Sequence, residues 1–232
     1  MKTSSIMAAL LTSTIGLAAQ AQDLEITVTN LTQGIYYTPI LIAAHDTDAD
    51  MFTVGEMAST ELQAMAEGGD ISGLSALMSG ASADIVENPA EGMLAPAAST
   101  TAMLSTMDGN SYLSLVSMML PTNDGFIGVD SWMIPTEAGT YTFTLNAYDA
   151  GTEANDEIVN GGGAPGAAGI PIAPGNDGGT GGSGVTSMEE NTMIHVHRGN
   201  LGDDDLAGGK SDLDNTVHRW LNPVARVTVV VK

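Results

Sequence analysis

An all-β sandwich with a short helical insert is predicted by three features of the sequence. Period-2 alternation recurs along the chain, most clearly in Leu24-Glu25-Ile26-Thr27-Val28-Thr29-Asn30-Leu31 and in Tyr141-Thr142-Phe143-Thr144-Leu145-Asn146-Ala147-Tyr148. That is the pattern of strands with one face buried. Helical spacing is concentrated in one stretch near residues 60–78. The 232 residues are 43% hydrophobic, enough for the core of one large all-β domain.

Taken in order, strands are expected at 24–31, at the apolar run Pro39–Ala44, at Tyr112–Leu120, at a very short Phe126–Val129, at Tyr141–Tyr148, at Met193–His197 and at Val224–Val231. Thr60-Glu61-Leu62-Gln63 fits a capping box with Thr60 as the N-cap. Leu62, Met65 and Ala66 share a face, and Gly68-Gly69 stops the helix. Asp70 caps a second short helix, Ile71–Met78. Gly80–Ser99 is small and polar and reads as loop. Residues 161–184 hold 11 Gly and three Pro and read as a flexible surface loop. A phosphate-cradling loop would need a following Lys and a helix, and neither is there. The closing Val-rich strand is a candidate sheet edge through which copies could associate.

Met1–Ala21 reads as a signal peptide. Lys2 is its charged start, Ile6–Leu17 its short apolar region, and Ala19-Gln20-Ala21 its cleavage site. Residues 22–232 would then be the mature domain, secreted or periplasmic. The apolar run is too short to span a membrane.

Charge excludes several classes of partner. The chain has 28 acidic and 6 basic residues, for a net charge of -22. After Lys2 the next cation is Arg198. No basic face for nucleic acid can be assembled, nor a basic patch for anionic lipid. With no cysteine, disulfides and thiolate metal sites are excluded.

Three constellations could carry chemistry. The first is Asp124, Asp130, Asp149, Glu153, Asp156 and Glu157, at strand ends with Gly125 and Gly151 nearby. Calcium takes six to eight oxygens and accepts loop carbonyls beside carboxylates; the same residues also serve as turn formers. The spacing is not that of an EF-hand. The second is His195-Val196-His197, where i and i+2 on a strand place both rings on one face and could hold a second metal ion. The third is Gly202-Asp203-Asp204-Asp205 with Asp212 and Asp214, which could form a second weak cation site but is read first as an acidic loop neutralised by Arg198, Lys210 and Arg219. No serine lies in Gly-x-Ser-x-Gly, and aromatic content is 4%. Binding is therefore expected in place of catalysis.

The chain resembles a bacterial spondin-domain protein of the F-spondin N-terminal type, from about Ile26 to Val231. The motifs that carry this are Ile26–Thr32, Pro39-Ile40-Leu41, Phe52-Thr53-Val54-Gly55-Glu56, Pro121-Thr122-Asn123-Asp124-Gly125-Phe126-Ile127-Gly128, Ala147–Glu157, Ile194–His197 and Trp220–Val227. The resemblance implies a C2-like antiparallel β-sandwich with one calcium ion held by loop carboxylates. Carried over by position, these are Asp130, Asp149 and Glu153, with Asp124 as a further candidate. It also implies an extracellular adhesion module, with a cell-surface polymer or protein as partner. The animal members carry disulfides; this chain has none. Two alternatives remain open on the residues: a metal-dependent enzyme or redox protein using His195 and His197, and a structural subunit of an extracellular assembly.

Overall fold

The computed structural model describes residues 21–172, 174, 178–188, 190–205 and 207–232; the expected signal peptide, apart from its last residue Ala21, lies outside them. Ten strands and two helices follow in chain order. They are β1 (Asp23–Asn30), β2 (Tyr36–Tyr37), β3 (Leu41–His45), α1 (Thr60–Gly68), α2 (Ser72–Gly80), β4 (Asp84–Glu87), β5 (Ser99–Ser105), β6 (Tyr112–Leu120), β7 (Gly125–Met133), β8 (Gly139–Asp149), β9 (His195–Val196) and β10 (Ala225–Val231).

All named pairings are antiparallel, in the order β4-β3-β6-β7-β8-β10-β1-β5, with β2 added on β6 and β9 on β8. The pivot is β8. Its first part, Gly139–Leu145, pairs with β10. Its last part, Asn146–Asp149, pairs with β7. One strand thus belongs to both layers of the sandwich. Where β7 and β8 part, Trp132 fills the split, stacked on Phe143 at 4.7 Å. The outer strands close on each other through side chains. Asp84 on β4 accepts from Met107 N at 2.6 Å and from Asn110 Nδ2 at 2.9 Å, just past β5.

Burial explains which strands alternate. On β1 and β10, Leu24, Ile26 and Val28 face Val227, Val229 and Val231 in the inner core, while Thr27 and Thr228 face outward. The strands β3 and β6 are buried on both faces, so their sequences are apolar runs. Their second face, with Leu41, Val116 and Met118, is covered by Leu62 and Met65 of α1, by Leu74 and Met78 of α2, and by Ile170, Ile194 and Leu213. Each such fully buried side chain contributes about 2 kcal/mol.

Several expectations need correction. Ser59 caps α1, its hydroxyl accepting from Leu62 N at 3.1 Å; the predicted cap was one residue late. The C-terminal stop at Gly69 (φ 73) is as expected. The N-cap of α2 is Ile71, which makes no side-chain cap bond; Asp70, expected as the cap, stands one residue earlier and accepts from Ser72 N at 2.9 Å. The 80–99 segment contains strand β4, and β5 follows it; short Asp, Glu, Ser and Thr stretches hid both. The strand after Asp124 does not stop at Val129 but runs through Asp130 to Met133. The Val-rich β10 is no edge: it lies between β8 and β1. The Gly-rich segment is partly docked, since Gly166 N donates to Glu67 on α1 at 2.6 Å.

Candidate functional site

Two loops meet at one end of the sandwich. The first, 121–124, enters β7; the second, 150–157, leaves β8. Gly125 and Asp149 are register partners, so Asp124 and Asp149 come together at the strand ends. Asn123 ties the loops: its Oδ1 accepts from Glu157 N at 3.2 Å, and its Nδ2 donates to Asp156 Oδ1 at 2.9 Å and to Glu153 Oε2 at 3.3 Å. Asp124 Oδ2 accepts from Thr152 N, Thr152 Oγ1 and Glu153 N at 2.7, 3.2 and 3.1 Å. A glycine is required at 151 (φ 71), where a Cβ would sit 2.6 Å from the Thr192 carbonyl carbon. These contacts connect the Pro-Thr-Asn-Asp-Gly and Asp-Ala-Gly-Thr-Glu motifs physically.

The electrostatics are unusual for three carboxylates. Asp124, Asp149 and Glu153 are all buried. Two of their oxygens, Asp124 Oδ1 and Glu153 Oε1, are buried without a hydrogen-bond partner. Asp149 Oδ1 accepts from Gly151 N at 2.8 Å and Oδ2 from Asn155 Nδ2 at 2.6 Å. Burial, reinforced by the neighbouring Asp149 charge, pushes Asp124 up to about 7; burial pushes Glu153 up to about 7 against the Gly169 N–H that favours its charged form. The Arg198 guanidinium donates to the Asn155 carbonyl at 3.0 Å instead of pairing with these acids. Among the described residues, no three acidic or histidine side chains already converge in ligand geometry. A cation here would draw its remaining oxygens from loop carbonyls and small side-chain adjustments.

Asp130 does not join this group. It lies five residues along β7 from Gly125, on the order of 15 Å away. Its Oδ1 accepts from Met51 N at 2.8 Å and Ser114 Oγ at 3.1 Å, and its Oδ2 from Ser131 Oγ at 2.7 Å. Asp156 and Glu157 stay with the cluster as loop anchors. Glu157 accepts from Leu201 N, Gly202 N and Ser211 Oγ at 2.6, 2.8 and 2.6 Å.

The two histidines of the His-Val-His motif have different surroundings. His195 is opposite Asp149 in register, with Nε2 3.8 Å from Asp149 Oδ2 and Nδ1 2.8 Å from the Met193 carbonyl. His197 is buried against Trp220, ring centroids 5.0 Å apart. Its Nδ1 accepts from Gly199 N at 2.9 Å, which leaves the proton of the neutral ring on Nε2. Burial, with Arg198 and His195 adding to it, pushes His197 down to about 3. The neutral ring therefore presents no lone pair outward to a metal.

The 202–214 acids are not neutralised by cations as expected. Among the described residues, Arg198, Lys210 and Arg219 make no ion pair with them. Backbone N–H groups do that work. Asp203 accepts from Lys210 N, Ser211 N and Asp205 N. Asp212 accepts from Val159 N, Thr180 N and Gly182 N. A cavity of about 420 Å³ lined by Tyr36, Asp212, Asp214 and His218 opens beside this loop; none of Asp124, Asp149 and Glu153 lines it.

Sequence reasoning missed the uncharged residues of the cluster. Asn123, Thr152 and Asn155 carry no charge signal, although they sit inside the two motifs. Glu67 was missed as well: it lies about 100° or more round α1 from Leu62, Met65 and Ala66, and it is buried where the Gly-rich segment docks on it through Gly166 N.

The profile of the spondin N-terminal family (Spondin_N) matches residues 29–157, more than half of the chain. The chain belongs to this family. The match covers both loops of the carboxylate cluster and ends at Glu157, before the Gly-rich segment and the His195-Val196-His197 motif of this spondin domain. No curated protein matches the chain. Family membership makes it an extracellular-type interaction module. No helix of the described residues is long and apolar enough to cross a membrane.

Proposed function

We propose that this spondin domain is a secreted adhesion module whose two end loops are organised by calcium. The observation that carries the reading is the pair of buried, unpartnered carboxylate oxygens, Asp124 Oδ1 and Glu153 Oε1. A buried anion without a partner is costly, and a hard divalent cation removes that cost. Asp124, Asp149 and Glu153 would be the protein ligands, completed by loop carbonyls. Asp130, bonded to Met51 and Ser114, is left out of the set.

The ion would lock the 121–124 and 150–157 loops into one rigid surface at the end of the sandwich. Rigid loops on a rigid scaffold are suited to binding. The partner would be a cell-surface or matrix polymer or protein without a strong negative charge, because this face repels anions. The acids of the cluster are taken up with loop N–H groups and amides, such as Thr152 N, Glu153 N, Gly151 N and Asn155 Nδ2, which supports binding over catalysis.

Calorimetric titration of chelator-treated protein with calcium tests the reading. The expected result is one stoichiometric site with a raised melting temperature, weakened in Asp149→Asn. Absence of both heat and thermal shift would overturn it.

A further inference from the structure

The layer formed by β8, β10, β1 and β5 has a bare edge. Lys232 N donates to the Asp23 carbonyl and Leu31 N to the Val224 carbonyl. Even-numbered residues of β10 therefore aim their backbone groups at β1, and odd-numbered ones aim theirs at β8. In register, Val227 meets Phe143 and Val229 meets Tyr141. The odd-numbered residues of β8 are thus the ones bonded to β10. Thr140, Thr142 and Thr144 aim their N–H and C=O groups to the other side.

No strand covers that side. β7 pairs with β8 only where Gly125–Gly128 meet Asn146–Asp149. Past Gly128, β7 bulges: Leu115 pairs with Val129 but Leu113 with Trp132. Ser131, in the left-handed conformation (φ 56), donates its N–H to Ser114 Oγ at 2.8 Å. A bulge bends its strand, and β7 leaves β8 there. Among the described residues, no hydrogen bond reaches the backbone of Thr140, Thr142 or Thr144 from that side. All three residues are exposed. The usual guards of an edge are missing too, since Gly139–Thr144 holds no Pro and no charged residue.

Charge sets this layer apart from the rest of the molecule. Its outward-facing residues are mostly Thr and Ser, and its outward charges, Asp23 and Glu25 against Arg226 and Lys232, cancel. In a chain of net charge -22, this is a face on which two copies meet without local acidic repulsion.

We infer that this edge pairs with the same edge of a second copy, β8 against β8, antiparallel about Thr142. The sequence is self-complementary in that register. Thr142 meets its own counterpart and Thr140 meets Thr144, both as hydrogen-bonded pairs. On the inner face Tyr141 meets Phe143. These two half-buried rings pack on Trp132 at 6.5 and 4.7 Å, and the second strand covers what they still expose. Because the paired strands run in opposite directions, the Asp149 ends project from opposite poles of the dimer. The dimer is then a bridge with one carboxylate loop surface at each end. The bare edge is at the far end of β8 from Asp149, so association is expected with calcium or with chelator.

Sedimentation equilibrium of the intact protein in chelator, from about 1 µM to about 1 mM, tests this. The expected result is reversible monomer–dimer association that strengthens with salt, which screens the remaining acidic repulsion. The Thr140, Thr142 and Thr144 amides are expected to gain exchange protection as the dimer forms. Thr142→Lys sets like charges directly opposite each other and is expected to weaken dimerisation by about tenfold or more. Thr101→Lys, exposed on β5 of the same face, is expected to leave it unchanged. A monomer across the whole range overturns the inference. So does a dimer indifferent to Thr142→Lys, or one lost equally in Thr101→Lys. If a variant fails to fold, the wild-type amides decide: a dimer that leaves all three unprotected overturns the pairing.

Discussion

Asp124 Oδ2 accepts the backbone N–H of Glu153 at 3.1 Å, so the two carboxyl groups that each bury an unpartnered oxygen are tied into one unit. Asp124 positions the residue whose charge it must tolerate. Their shared environment sets the testable behaviour of this end of the molecule.

Asp124→Asn is expected to act in opposite directions with and without calcium. In the metal-free protein it removes a buried charge with little change of shape, and it stabilises by on the order of 1 kcal/mol at neutral pH. With calcium present it removes a ligand and weakens affinity by tenfold or more. Chemical denaturation in chelator, paired with calorimetric titration, reads both effects. Destabilisation of the metal-free form would show that the charge is already compensated.

The metal-free protein is expected to lose stability as pH rises from about 4 to 7. Asp124 and Glu153 are raised to about 7 when folded, well above the usual carboxylate range. In that window the folded state binds more protons than the unfolded state, so stability falls with increasing pH. Calcium binds the ionised form and should flatten or reverse the trend. Melting temperatures across that range, with calcium and with chelator, check the prediction. Identical slopes in the two conditions would refute it.

The two histidines should separate cleanly on mutation. His197→Ala leaves the Gly199 N–H unpaired and opens space beside Trp220, a loss of about 2 kcal/mol or more. His195→Ala removes a half-exposed ring with a long contact to Asp149 and should cost under about 1 kcal/mol. Urea unfolding of both variants distinguishes a packing role from a joint metal role, in which elemental analysis would show transition metal lost in both.

Glu67→Ala should release part of the Gly-rich segment. Its Oε2 holds Gly166 N and its Oε1 accepts from Gln63 Nε2, so truncation costs about 1–3 kcal/mol. Limited proteolysis is the sensitive readout, with new cleavage expected in 161–169. Unaltered cleavage would mean the anchor lies elsewhere.

Period-2 alternation located β1, β8 and β10 within a residue or two, because each of these strands has one buried and one wet face. The same rule missed β4, which is only partly buried, and overlooked the bulge that extends β7 through Asp130. That bulge matters for the site. A position in the sequence cannot reveal that Asp130 is turned towards Ser114, about five strand residues from the cluster it was grouped with. Asp124, Asp149 and Glu153 were legible as candidates because strand ends with glycine bring carboxylates together. Their unpartnered oxygens were not, since those depend on which N–H groups the neighbouring loops supply. The acidic excess is also clarified: Asp203, Asp212, Glu157 and Glu67 bind backbone N–H groups across loops, so local cations are not needed to place them.

The pairing of Leu24 with Val231 puts the two ends of the described chain side by side, and Lys232 reinforces them by its 3.0 Å contact with Glu25. The same row continues to Gly139 at the start of β8, whereas Asp149 is at its finish, roughly 30 Å away. A tether attached at residues 23 or 232 would therefore hold the molecule by one pole and project the carboxylate loops from the other. Tension applied between those two residues would peel β1 from β10 one pair at a time. Force arriving at the loop pole would instead cross both layers through β8.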